Sequence, residues 1–302
     1  MWLAIVFFLS ALLPLSLSHG QDPFAWLYGR QSQGYSHGSL QASTTGWQCP
    51  DECDCPPSFP VAMYCDGRGL TAMPTIPSHV KYLYLQNNAI TAVPDSALIN
   101  ATSLVWLMMH HNQLTSEAVD KKAFLKLEGL ERLYLQHNNF TSIPPNLPRS
   151  LRDLRINHNK IEKVPEALPE HLHQFYLESN SIDALPEGFL GRFTQLQYIR
   201  MAHNQLTDKG IPSNTFNVTG LVELDLSFNQ LQRIPTVSTT LQHLYLQANQ
   251  IKEFTLGSFC SVVDVTNFSK LRTLRLDGNE ISRQDVPSES SMCLRLASDI
   301  EI

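Results

Sequence analysis

Six cysteines, four histidines at one recurring position and four Asn-x-Ser/Thr triplets are the residues here whose types and spacing could carry chemistry. Cys49, Cys53, Cys55 and Cys65 form a C-x3-C-x-C-x9-C cluster, while Cys260 and Cys293 lie near the other end of the chain. Thiols so clustered either ligate zinc or pair with one another. An even count in an exported chain favours disulfides, and a cluster just ahead of a repeat array reads as a cap. Cys260 and Cys293, at the opposite end from the cluster, are expected to bond each other. His111, His137, His158 and His203 each precede an Asn at the same point of a repeat. Stacked imidazoles there could bind zinc; the plainer reading, which we adopt, is a turn residue donating to neighbouring backbone carbonyls. No metal or cofactor is expected. The triplets at Asn100, Asn139, Asn217 and Asn267 are acceptors for N-linked sugar. Asn100, Asn217 and Asn267 each lie four residues before the first Leu of a repeat (Leu104, Leu221, Leu271), so they should project from one flank. The chain contains no G-x-S-x-G, H-E-x-x-H or phosphate loop, and six paired cysteines would leave no thiol nucleophile. The expectation is a protein that is not an enzyme.

What positions these residues is a repeated frame, L-x-x-L-x-L-x-x-N-x-L with apolar exchanges, that recurs nine times between Val80 and Ile281. Its asparagines are Asn88, Asn112, Asn138, Asn159, Asn180, Asn204, Asn229, Asn249 and Asn279. This is the signature of leucine-rich repeats. One repeat cannot bury its own apolar positions, and stacking neighbours creates a continuous core. Each Asn turns the chain out of its strand and can bond backbone groups of adjacent repeats. The predicted fold is therefore an α/β leucine-rich-repeat solenoid: a parallel concave β-sheet horseshoe with disulfide caps and few helices. From Asn to Asn the repeats run 24, 26, 21, 21, 24, 25, 20 and 30 residues. Two short repeats meet at Asn159 and Asn180; either the rhythm is loose there or a pair of long repeats is absent.

Composition sets the compartment. Trp2 to Leu17 carries no charge and is followed by Ser18, His19 and Gly20, so residues 1–20 read as a secretory signal peptide. Residues 21–48, rich in Gln, Ser and Gly, read as a flexible tail. The cap should occupy 49–79, the repeats 80–251, and an elongated last repeat with the C-terminal cap 252–302. A net charge of −6 and a pI near 6.0, with no long basic run, argue against nucleic-acid and membrane-surface partners. No second apolar stretch of spanning length follows, and the expected product is secreted into the extracellular matrix.

Strand periodicity names the side chains of the concave face. One column reads Tyr84, Met108, Tyr134, Arg155, Tyr176, Arg200, Asp225, Tyr245, Arg275. The other reads Tyr82, Trp106, Arg132, Asp153, Gln174, Tyr198, Glu223, His243, Thr273. Aromatic residues and Arg dominate interfaces, and nine strands about 4.8 Å apart make a platform roughly 40 Å long.

The frame, the cap spacing and the long cysteine-bonded final loop together resemble the small leucine-rich proteoglycans. The segments Cys53-Asp-Cys-Pro-Pro, Ser258-Phe-Cys-Ser-Val-Val-Asp-Val and Cys293-Leu-Arg-Leu-Ala-Ser resemble the fibromodulin/lumican subgroup over residues 49–302. That resemblance implies pairing of Cys49 with Cys55 and of Cys53 with Cys65. It also implies a matrix protein that binds fibrillar collagen, regulates fibril assembly, can carry keratan sulfate on its sequons and can bind growth factors such as transforming growth factor beta. The family's collagen contact falls on Asn279–Arg283 here, so Glu280 and Arg275 are its candidate charges, joined by Tyr245 and Tyr198. Family members carry Lys where this chain has Ser282, leaving Arg283 to supply that cation. The subgroup's tail tyrosines are sulfated beside acids; Tyr28 and Tyr35 have only Asp22 nearby, so little sulfation is expected. The competing class is a soluble receptor-like module that senses a protein or microbial ligand. Oligomeric state is left open.

Overall fold

A computed structural model describes residues 48–302. The signal segment, the tail up to residue 47, and the two tail tyrosines lie outside the described residues. Eleven three-residue strands form one parallel sheet in chain order. They are β1 (Ala62–Tyr64), β2 (Tyr82–Tyr84), β3 (Trp106–Met108), β4 (Arg132–Tyr134), β5 (Asp153–Arg155), β6 (Gln174–Tyr176), β7 (Tyr198–Arg200), β8 (Glu223–Asp225), β9 (His243–Tyr245), β10 (Thr273–Arg275) and β11 (Asp299–Glu301). The nine frames account for β2 to β10. The cap contributes β1, aligned Met63 to Leu83, and the C-terminal segment contributes β11, aligned Leu274 to Ile300. Two four-residue helices, α1 (Asp95–Leu98) and α2 (Ser290–Cys293), are the α-helices of the described residues.

Alternation within each strand divides core from face. The middle residue points inward: Leu83, Leu107, Leu133, Leu154, Phe175, Ile199, Leu224, Leu244 and Leu274 are completely buried. A convex spine of Phe124, Phe189, Phe216 and Phe259 closes the other side of the same core.

The asparagines form the expected ladder with little variation. Asn204 shows the pattern: its Nδ2 donates to Leu177 O at 3.0 Å in the preceding repeat and to Met201 O at 3.1 Å in its own, while its Oδ1 accepts from Ile182 N at 3.0 Å. The ladder runs unbroken through the two short repeats, where Asn180 Oδ1 accepts from Ile161 N at 2.9 Å. The residue before each ladder Asn takes a left-handed turn, with φ between 53° and 58° from Asn87 to Ala248 and 72° at Gly278. Left-handed backbone costs an L-residue roughly 1–2 kcal/mol. Here the Asn bonds on either side hold the turn in place.

Three disulfides bind the two ends: Cys49–Cys55 and Cys53–Cys65 in the cap, and Cys260–Cys293 across the final repeat. The last spans 33 residues. Loop-closure entropy for a crosslink of that length is worth about 3–4 kcal/mol. Cys293→Ser should therefore lower the denaturant midpoint and expose the 260–293 segment to protease before the rest. Unchanged stability would mean that α2 packing alone secures this end.

Candidate ligand-binding face

The outward columns follow the strand register, but they do not form a uniform surface. In the N-terminal third the side chains cover one another. Tyr64 stacks on Tyr84 at 4.6 Å, Phe59 on Tyr82 at 5.5 Å, and Tyr82 meets Trp106 edge-on at 5.1 Å. As a result Tyr84, Met108 and Tyr134 are only 4 %, 3 % and 5 % exposed, a second small core built on the concave side. The Arg132 guanidinium sits over the Trp106 ring at 4.3 Å and closes this cluster.

The middle of the face is ionic. Arg155 lies 4.3 Å from the Tyr134 ring and 5.2 Å from the Tyr176 ring, and it bonds Asp153 at 3.2 Å. Tyr134 Oη donates to the same carboxylate at 2.8 Å. Burial first, then the charge of Asp153, pushes the Tyr134 phenol well above its usual range. Arg200 bonds Glu223 at 2.6 Å.

A third column, two residues beyond the first, reads Gln86, His110, Gln136, Asn157 and Glu178 in consecutive repeats. The side-chain oxygens Gln86 Oε1, Gln136 Oε1, Gln247 Oε1 and Glu178 Oε2 are buried without a hydrogen-bond partner. Glu178 is the consequential member. Burial pushes its carboxyl up to about 7, and Asp225 adds to the rise against the opposing pull of Arg200 and Arg155. Asp225 is raised by burial too, restrained by its bonds from Ser227 N at 3.0 Å and Ser227 Oγ at 2.6 Å. Spacing alone does not mark Glu178 as a candidate. Its one signal was a carboxylate in a column that is otherwise amide and imidazole up to that repeat.

Of the five candidate contact residues, Tyr198 and Tyr245 stand half-buried on β7 and β9, flanking Glu223 and Asp225 in the register. Arg275 is on β10, but its guanidinium is already held by Asp277 at 2.8 Å and Glu301 at 2.7 Å. Glu301 belongs to β11, a strand that the repeat frame did not disclose. Glu280 and Arg283 lie past the Asn279 turn, off the concave strands. Glu280 forms a loose, exposed pair with Lys252 at 3.7 Å, and Arg283 opens a short turn capped by Ser282 and Asp285.

The histidines stack instead of donating to carbonyls. His111 and His137 rings are 4.1 Å apart, His137 and His158 rings 4.2 Å, and His203 packs on Phe228 at 4.1 Å. The left-handed turns align these side chains along one edge, and edge-aligned rings satisfy each other's faces. Among the described residues no group of three or more His, Cys, Asp or Glu is arranged to hold a metal ion. No helix among them is long and apolar enough to cross a membrane.

The sequon asparagines Asn100, Asn217 and Asn267 are exposed, and Asn139 is half-buried beside a bridge to Thr115. Ser269, which completes the Asn267 triplet, is fully buried, its N–H donating to Cys293 O at 2.8 Å and its Oγ accepting from Leu271 N at 3.3 Å.

Residues 48–78 match the leucine rich repeat N-terminal domain, and residues 78–140 match the leucine rich repeat model. The chain is 46% identical to Fibromodulin of Bos taurus, covering 91% of this chain and 85% of that protein. It is 41% identical to Lumican of Gallus gallus, covering 84% and 88%. Among solved structures, the complex of Latrophilin 3, Unc5D and the leucine-rich repeats of FLRT2 matches with a TM-score of 0.67 at 26% identity, covering 83% of each chain. A leucine-rich-repeat protein of Leptospira interrogans matches with a TM-score of 0.62 at 23% identity, covering 76% of this chain and 57% of that one, a likeness of fold alone.

Proposed function

The chain belongs to the small leucine-rich proteoglycans, proteins of the extracellular matrix, and from that premise we propose that it binds fibrillar collagen through its concave face and regulates fibril assembly. The observation that carries this reading is the charge of the face from β6 onward. There Glu178, Glu223, Asp225, Asp277, Asp299 and Glu301 outnumber Arg200, Arg272 and Arg275. An acid-rich strip with Tyr176, Tyr198 and Tyr245 among its carboxylates suits a rigid rod that presents Lys and Arg. Aromatic side chains add contact area at low entropic cost. Arg275 acts here as a brace between Asp277 and Glu301, not as a free cation. Glu280 and Arg283 form a second contact at the C-terminal edge. Keratan sulfate on the sequons and binding of transforming growth factor beta rest on kinship, and the receptor-like alternative has no feature of the face in its favour.

Solid-phase binding to reconstituted collagen fibrils at low and high salt tests this. The parent protein should bind, less tightly at high salt because exposed charge pairs are screened. Tyr245→Ala should weaken binding about fivefold to tenfold, the range for losing one aromatic contact. Glu280→Ala should have a smaller effect. If the parent fails to bind, the proposal fails. If Glu280→Ala alone abolishes binding, the contact lies on the C-terminal edge and not on the face.

A further inference from the structure

The bulge of the last repeat, between Cys260 and Phe268, leaves apolar surface open: Val262 is 57 % exposed and Val265 is 72 % exposed. On its inner side the bulge is anchored. Arg295 donates to Val265 O at 3.1 Å and covers the Phe268 ring at 3.6 Å. On its outer side stands Asn267. Alone among the four sequon asparagines of the described residues, it has its side-chain amide hydrogen-bonded, donating from Nδ2 to Asp264 Oδ2 at 2.6 Å. Asp264 is itself fixed, accepting from Thr266 N at 2.7 Å, Thr266 Oγ1 at 2.6 Å and Asn267 N at 2.8 Å. These bonds hold its carboxyl far below the usual range, so it remains an anion. Beside Asn267 opens a cavity of about 130 Å³, lined by Thr239, Ser261, Val262 and Phe268 among others.

We propose that an N-linked sugar on Asn267 is a seated component of the C-terminal cap, aimed by Asp264 so that its first residue lies over Val262 and the adjoining cavity. Attachment replaces one Nδ2–H by an Nδ2–C1 bond. The pyrophosphate of the lipid-linked donor leaves, and the displaced proton passes to the transferase. One N–H therefore survives, and Asp264 captures it, which fixes the remaining valence outward across the bulge. The lining suits a pyranose. Thr239 and Ser261 offer hydroxyls to its polar rim, and the exposed Val262 offers carbon to its apolar face. The occupant is set by covalent attachment, since the acceptor asparagine is part of the cavity wall. This inference is independent of the collagen reading.

The test uses the full chain secreted from glycosylating cells. Under native conditions, site-resolved release by peptide-N-glycosidase should be about tenfold slower at Asn267 than at Asn217, as for any cleavage that must wait for local opening. Asn217 is also exposed, and its backbone N–H donates to Asn214 O at 3.1 Å. Asp264→Ala should remove the difference while leaving occupancy at Asn267 unchanged. Trimming to a single sugar should preserve the melting temperature. Complete release, which converts the Asn267 amide to a carboxylate facing Asp264, should lower it by about 2–4 °C. Unmodified Asn267 in secreted protein, or release at the Asn217 rate, would overturn the proposal.

Discussion

Asn204→Ala is expected to lower the unfolding free energy by about 3 kcal/mol, one buried N–H left bare plus three weakened acceptors, Leu177 O, Met201 O and Ala202 O. The lost groups are unequal. Ile182 N loses its acceptor, Oδ1 at 3.0 Å, in a position wholly closed to water. Leu177 O and Met201 O fare better, because Asn180 Nδ2 still reaches the first at 3.0 Å and Asn229 Nδ2 the second at 2.9 Å. Asn279, half-buried at the end of the ladder, should be more tolerant. Asn204→Asp would keep the acceptor for Ile182 but set a carboxylate against three carbonyls, so its stability should recover as pH falls and the acid protonates. Urea unfolding of the three variants measures this. A loss below about 1 kcal/mol at Asn204 would show that water or a shifted backbone replaces the ladder bond.

Glu178→Gln should stabilise the protein at about pH 7.5 and weaken its hold on collagen. The carboxyl titrates near 7 in the fold against an ordinary 4.5. The folded state therefore binds more protons than the unfolded one between those values. The protonated group's contribution is complete below about pH 4.5 and fades as pH rises toward 7. Over that window the parent should lose on the order of 3 kcal/mol that the Gln variant keeps. Binding should move the other way. The parent's affinity should rise as pH passes through 7 and Glu178 becomes an anion, and the variant's should stay flat. Equal pH dependence of stability in both proteins would show that Glu178 is not the group that titrates.

The scaffold was legible in the sequence because it depends on residues at fixed offsets along the chain. Leu83, Leu85 and Asn88 announce one turn of the solenoid, and the same offsets announce the next eight. The face was only partly legible. Which positions point outward follows from strand alternation, but whether they are open depends on neighbours a repeat away. Tyr84, Met108 and Tyr134 looked like interface residues and are instead closed over by Tyr82, Trp106 and Arg132. Arg275 looked free until β11, which the repeat frame did not disclose, brought Glu301 beside it. Glu178 passed unnoticed since its character comes from desolvation, which one-dimensional spacing does not encode. The stacked histidines share that cause: their positions were evident, their rings' mutual company was not.

The burial of Ser269 sets a deadline. A sugar transferase must reach Asn267 and the Ser269 hydroxyl together, in an extended segment, and the finished fold buries Ser269, with its N–H bonded to Cys293 O. Modification and oxidation therefore race once residues 260–293 are made. On the proposal of a sugar at Asn267, the occupied fraction becomes a record of how quickly the closing disulfide formed, and a Cys293→Ser chain, which never closes, should carry the sugar in full.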